Sequence, residues 1–197
     1  LVRFRLASRS SVLGLALAVA AVSVAAWLER RSGPNVAADR ALTGVALGLV
    51  LPLLSHGTVA RALAGRHFET SLSELARFGG NRRVIALGVG MSLALVLAIS
   101  GALVAAAAVV VVRAPADPAL VQDLVTSTWI GALAGASYAA WFGLGSTIGR
   151  AGGGRTALLI IDFIAGASAG LSAMFWPRGH IRNLLGGEPV WAMPQWS

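Results

Sequence analysis

Val84-Ile85-Ala86-Leu87-Gly88-Val89-Gly90-Met91-Ser92-Leu93-Ala94-Leu95-Val96-Leu97-Ala98-Ile99-Ser100-Gly101-Ala102-Leu103-Val104-Ala105-Ala106-Ala107-Ala108-Val109-Val110-Val111-Val112 runs from Arg83 to Arg113 without a charged residue. A helix rises about 1.5 Å per residue, so roughly 20 apolar residues cross the ~30 Å hydrocarbon core of a bilayer. This stretch exceeds that length and has residues to spare for tilting or for projecting beyond the bilayer. Four further windows lie around it, at Ser10–Leu28, Ala41–Ala60, Leu124–Gly149 and Thr156–Pro177, the last interrupted only by Asp162. The fold expected is an all-α polytopic transmembrane helix bundle, a single transmembrane domain over residues 1–197. Its spans lie at about 10–28, 41–60, 84–112, 124–149 and 156–177.

Composition agrees. The chain is 56% hydrophobic and 12% charged, about half the charged fraction of an ordinary globular domain. Too few polar side chains are present to cover a water-soluble surface, so the natural solvent is lipid. The net charge of +8 then reads as basic loops facing anionic headgroups, not as a nucleic-acid surface. No aromatic-rich basic groove or zinc-ligand spacing argues for nucleic acid. With no cysteine, disulfides, thiolate metal sites and a Cys nucleophile are excluded. All basic residues are Arg, and Ala, Gly and Val abound. Such coding points to a GC-rich bacterium and therefore to a bacterial cytoplasmic membrane.

With the N-terminus inside, the inner segments hold Arg3, Arg5, Arg9, Arg61, Arg66, Arg77, Arg82, Arg83, Arg150 and Arg155. The outer ones hold fewer: Arg30, Arg31, Arg40, Arg113, Arg178 and Arg182. That is the positive-inside bias. Trp27, Trp129 and Trp176 fall near the outer interface as an aromatic belt, and Trp141 is the inner exception. The first window resembles a signal peptide, but it is long for one and lacks a cleavage site before Glu29-Arg30-Arg31; a retained helix is expected. The tail Trp191–Ser197 looks like an approach to another membrane segment, so a sixth helix is expected to be missing from this chain.

The inner loop between Arg61 and Arg83 predicts a short amphipathic helix over 70–79. Ser71-Leu72-Ser73-Glu74 fits the S-x-x-E capping box, and Phe68, Leu72, Leu75 and Phe78 form one apolar stripe. Gly79-Gly80 supplies a stop, and Asn81-Arg82-Arg83 anchors the following span at the headgroups. Such a helix either rests on lipid or docks a partner on the cytoplasmic side.

The segment Glu74-Leu75-Ala76-Arg77-Phe78-Gly79-Gly80-Asn81-Arg82-Arg83-Val84-Ile85-Ala86-Leu87-Gly88 resembles permease subunits of the ABC-2 type of ABC transporter. In that family an inner helix between the second and third spans ends in a basic turn that opens the third. Trp176-Pro177-Arg178-Gly179-His180-Ile181-Arg182-Asn183-Leu184-Leu185-Gly186-Gly187 resembles the family's outer stretch between the fifth and sixth spans. The resemblance covers the whole chain in topology but only these two stretches in residues. It implies a permease, an exporter by this reading, that dimerises with a second copy or a paralogue. A separate ATP-binding cassette ATPase would carry the ATP and Mg. Ser71, Leu72, Glu74, Leu75, Phe78, Arg82 and Arg83 would then form the coupling helix. The alternative is a non-transporting membrane scaffold or assembly subunit, in which the same helix lies on lipid or holds another membrane protein.

Two intramembrane polar residues stand out. Asp162 is the only acidic residue inside a span, and an ionised carboxylate there costs about 2.5–3.5 kcal/mol on insertion scales. Arg155, seven residues earlier, is a candidate ion-pair partner; a transport or proton-relay role is the sharper alternative. His56 lies one turn after Pro52, which is expected to kink its helix, and reads as a buried hydrogen-bonding group or as a functional one. Gly44/Gly48, Gly131/Gly135 and Gly166/Gly170 each make G-x-x-x-G, which serves close helix packing.

Two further motifs are look-alikes. Gly149-Arg150-Ala151-Gly152-Gly153-Gly154-Arg155-Thr156 imitates a phosphate-binding loop with Arg for Lys, but that loop follows a strand in a soluble α/β domain. Gly166-Ala167-Ser168-Ala169-Gly170 imitates the nucleophile elbow, which needs a strand-to-helix turn. Its candidate partner, His180, lies beyond Pro177. The chain is therefore expected not to be an enzyme and to hold no metal or cofactor itself.

Overall fold

The apolar windows become helices because a chain in an apolar solvent must satisfy its backbone donors and acceptors internally. The computed structural model describes residues 9–32, 37–77, 79–113, 120–167, 173 and 175–186, without the side chain of Leu75. The described residues are all-helical and contain no strand. Three helices are long and apolar enough to cross a membrane: α1 (Arg9–Ser32), α2 (Ala37–Ala62) and α4 (Arg82–Val112). Between the latter two lies α3 (Phe68–Ala76); α5 (Leu120–Gly145), α6 (Gly154–Ala165) and α7 (Pro177–Leu184) follow. Helix α5 has 26 residues, but its Ser, Thr, Gly and Gln dilute its hydropathy.

Along its length, α2 changes character. Arg40–Val50 is π-helical, and the Leu51 N–H reaches back to the Ala46 carbonyl. From Leu51 to Ala62 the helix is α, with Pro52 in its first turn. Proline has no N–H, so the wider register can tighten there without orphaning a donor. The irregularity expected at Pro52 takes the form of this π stretch just before it.

The main seam joins α4 to α5. Gly101 lies against the Gly131 carbonyl, Gly131 against the Gly101 carbonyl, and Gly135 against the Leu97 carbonyl, so a Cβ at any of them would overlap the opposite backbone. The Gly131-x-x-x-Gly135 pair is thus used inside the chain. Gly44, by contrast, has open space around its missing Cβ, and Gly170 is outside the described residues. The core centres on Leu47, Leu51, Leu93, Leu97, Val104, Tyr138 and Phe142, all buried. Facing outward on α4 are Leu87 (67% exposed), Met91 (71%), Leu95 (63%) and Ile99 (53%), and on α5 Val121 (72%) and Trp129 (65%). Apolar faces this large are incompatible with a water-exposed surface; they are those of a membrane protein.

Two windows end differently from their reading in the sequence. The fourth stops as a helix at Gly145, not Gly149: the Thr147 and Ile148 N–H groups bond only three residues back, to the Leu144 and Gly145 carbonyls, and Gly149 then turns the chain with φ +75°. The fifth is not one continuous helix: α6 ends at Ala165, Gly166-Ala167 turn, and α7 begins anew at Pro177. There the Trp176 ring meets the Trp141 ring edge-on at 5.5 Å, so these two tryptophans cannot mark opposite interfaces. Uncharged turn residues look like span residues when only charges mark the boundaries.

Candidate functional site

The cap of α3, His67, lies four residues upstream of the expected one, Ser71. His67 is extended (φ −62°, ψ 142°), and its Nδ1 accepts the Glu69 N–H at 3.3 Å. Its Nε2 lies 2.9 Å from the Thr147 carbonyl. With Nδ1 accepting, Nε2 is the nitrogen that donates to this carbonyl. Ser71 is therefore not a cap: its hydroxyl donates to the Leu63 carbonyl at 3.1 Å. Nor does Glu74 close a capping box, since it pairs with Arg66. The helix starts early because Phe68 is drawn to the core and its N–H bonds the Ser146 carbonyl at 3.0 Å.

The described part of the apolar stripe faces inward. Phe68 and Leu72 are half-buried against the main core. Phe78 and the side chain of Leu75 lie outside the described residues. The outward face carries Glu69, Thr70, Glu74 and Arg77, all exposed. The helix ends at Ala76, three residues short of the expected stop at Gly79, which takes φ +83° and turns the chain. Asn81 then caps α4 by accepting the Arg83 N–H at 2.9 Å, which leaves Arg82 and Arg83 exposed.

Arg155, on the first turn of α6, is only 5% exposed. It does not pair with Asp162 as the sequence spacing suggested. Its Nη1 donates instead to the Arg66 carbonyl and the Ser146 hydroxyl, each at 3.2 Å, and its Nη2 to the Ala151 carbonyl at 3.5 Å. The glycine-rich turn that imitates a phosphate loop makes room for this. Gly152 has φ +70°, and a Cβ there would come within 3.0 Å of both the Arg155 guanidinium and the Arg66 carbonyl. Gly145 and Gly154 let α5 and α6 close on one another.

Deeper in the bundle, Asp162 is fully buried. The Tyr138 hydroxyl donates to Oδ2 at 3.0 Å, and the Arg178 backbone N–H donates to Oδ1 at 3.3 Å. The carboxylate of α6 thus caps the N-terminus of α7, where orphan donors and the helix dipole favour a negative charge. Gly166 leaves no room for a side chain between Asp162 and Arg178. The Arg178 guanidinium sits 5.2 Å over the Phe163 ring and lies against Gly48 of the π stretch. His56 meets the Thr156 hydroxyl at 3.3 Å and the edge of Phe142 at 5.6 Å, linking α2 to α6 and α5.

Ser55 Oγ and Trp141 Nε1 are buried without a hydrogen-bond partner among the described residues. A mostly apolar cavity of about 260 Å³ lies between α5 and α7, bounded by Leu133, Trp141, Phe175, Trp176, His180 and Ile181. Among the described residues no three His, Cys, Asp or Glu side chains are grouped to hold a metal. Ser168 lies outside the described residues. The structure brings Asp162, Tyr138 and Arg178 into one cluster, and Arg66, His67, Ser146 and Arg155 into another. The sequence had marked Asp162 and His56. Tyr138 was detectable as the sole tyrosine, whose hydroxyl must find a partner in an apolar helix. No family model, curated protein or solved structure matches this chain.

Proposed function

We propose that this chain is the membrane-spanning permease subunit of an ATP-driven transporter of the ABC-2 type, exporting its substrate from a bacterial cytoplasm. In this reading it crosses the inner membrane five times, through α1, α2, α4, α5 and the α6–α7 segment, with the N-terminus cytoplasmic. The 26 residues of α5 reach about 39 Å, enough to cross despite their lower hydropathy. ATP and Mg belong to a partner ATPase, and a second permease copy or a paralogue completes the pathway.

The observation that carries the reading is α3. It is a short helix between two apolar spans, held from within by Phe68 and Leu72, with a polar face of Glu69, Thr70, Glu74 and Arg77 turned outward. A helix resting on lipid turns its apolar face to the acyl chains; here Phe68 and Leu72 of that face pack inside the protein. A rigid polar ridge, hydrogen-bonded to the neighbouring turn, suits a protein cleft better than a bilayer.

The test is co-purification of a co-encoded ATP-binding cassette ATPase with the full chain. Charge reversal on the outward face, Glu69→Arg with Arg77→Glu, is expected to abolish capture while the chain stays monodisperse in detergent. Capture unchanged by the reversal sinks docking on this face. Capture of another membrane protein and no ATPase makes the chain a scaffold instead. Leu72→Asp is the wrong probe, because Leu72 packs inward.

A further inference from the structure

We propose that Arg155 is the positioning residue that carries displacement of α3 into α6 and, through Asp162, into α7. The inference rests on reading α3 as the helix a partner moves. Three elements meet at this guanidinium. The Arg66 carbonyl immediately precedes the cap of α3, Ser146 follows the end of α5, and Arg155 itself is the second residue of α6. The Phe68 N–H and His67 Nε2 tie α3 to the end of α5, whereas Arg155 joins the entry of α3 directly to α6.

The link has little slack. Arg155 is 5% exposed, so neither water nor salt readily replaces its acceptors. The guanidinium is a rigid planar fork, and a bond from a charged donor is stronger than a neutral one. Gly152 lies against the guanidinium itself, Gly145 against the Arg155 backbone, and Gly154 against the Gly145 carbonyl. When the Arg66 carbonyl moves, Arg155 must follow or give up the bond. Helix α6 is 12 residues long and moves as a rod, and two turns on its Asp162 holds the Arg178 N–H at the start of α7. The path therefore runs from a surface helix to the break between α6 and α7. It is a contiguous chain of packed and hydrogen-bonded groups of the kind that carries coupling between sites.

The test is hydrogen exchange, read by mass spectrometry, on the full chain in lipid nanodiscs. Leu72→Ala loosens α3 from the core without touching α6. With Arg155 present, this change is expected to raise exchange several-fold in peptides from both α3 and α6. With Arg155→Gln, α6 is expected to exchange faster from the outset, and adding Leu72→Ala raises exchange in α3 alone. Arg155→Lys keeps the charge and one donor nitrogen but loses the planar fork; it is expected to restore part of the response, which mere loss of packing would not produce. The proposal is overturned if Leu72→Ala leaves α6 unchanged beside Arg155, or raises it by the same factor in the Arg155→Gln chain. It is overturned equally if Arg155→Lys restores nothing. Should Arg155→Gln not fold, Ser146→Ala removes one acceptor. It is then expected to weaken the α6 response in a folded chain, and an undiminished response overturns the link. The docking reading is tested separately by ATPase capture. Arg155→Gln is expected to keep capture, so loss of coupling with capture intact marks transmission, and loss of capture on reversing Glu69 and Arg77 marks docking.

Discussion

At the scale of single residues, Asp162 has no side-chain cation bonded to its carboxylate among the described residues, yet both oxygens are occupied, one by the Tyr138 hydroxyl and one by the Arg178 N–H. Tyr138→Phe leaves Oδ2 buried without its donor, and a buried polar atom left without its partner costs about 1–3 kcal/mol. The variant is therefore expected to unfold earlier by that amount, seen as a lower midpoint in thermal unfolding in mild detergent; an unchanged midpoint removes this bond from the account. Thr156→Val, which takes the neutral partner from His56, is expected to cost less, about 0.5–1.5 kcal/mol. Asp162 and His56 were legible because ionisable letters are rare in apolar windows. The donor from Arg178 was not, because a backbone N–H has no letter of its own and its position depends on where α7 begins.

At the scale of elements, helix ends and helix seams decide most. His67→Ala removes the cap of α3 and its tie to Thr147. It is expected to destabilise α3 by about 0.5–2 kcal/mol, read as faster amide exchange across Phe68–Ala76. Ser71→Ala, at the position the sequence favours as cap, is expected to change that exchange less, and the reverse order would restore the capping box. The α4–α5 seam gives a paired prediction. Gly135→Ala drives a Cβ into the Leu97 carbonyl and is expected to cost about 1–3 kcal/mol or more by overpacking. Gly44→Ala enters open space and is expected to be neutral or stabilising by up to about 1 kcal/mol. Thermal midpoints of the two variants check this, and equal shifts would refute the seam. The G-x-x-x-G spacing was visible in the sequence at three places; which of them closes a seam depended on the helix opposite.

At the scale of the whole molecule, the outward rows of α1, α4 and α5 define the solvent. Lipid tails are as apolar as leucine, so helix association here relies on close packing and internal hydrogen bonds more than on burial from water. That is why glycines line the seam while Leu87, Met91 and Leu95 face out. Doxyl-labelled lipids are expected to quench Trp129, which is 65% exposed, more strongly than Trp141 in single-tryptophan variants. Carbonate washing is expected to leave the chain in the membrane pellet. Release by carbonate, or quenching of Trp141 ahead of Trp129, would place the outward rows somewhere other than in acyl chains.

The run from Val84 to Val112 determined by itself that this protein is helical and apolar, because an uncharged stretch of that length has one way to satisfy its backbone in lipid. The turn at Gly79 was legible too, although α3 ends three residues before it at Ala76, because a glycine turn acts within a few residues of itself. Only the tertiary structure decided that Phe68 and Leu72 of α3 turn inward, that Arg155 turns from Asp162 to the Arg66 carbonyl, and that the fifth apolar window breaks after Ala165. Each of these outcomes depends on groups brought together from distant parts of the chain. Arg66 and Arg155 share one hydrogen bond across 89 positions, a relation that the spacing of apolar and charged letters along a single segment does not encode.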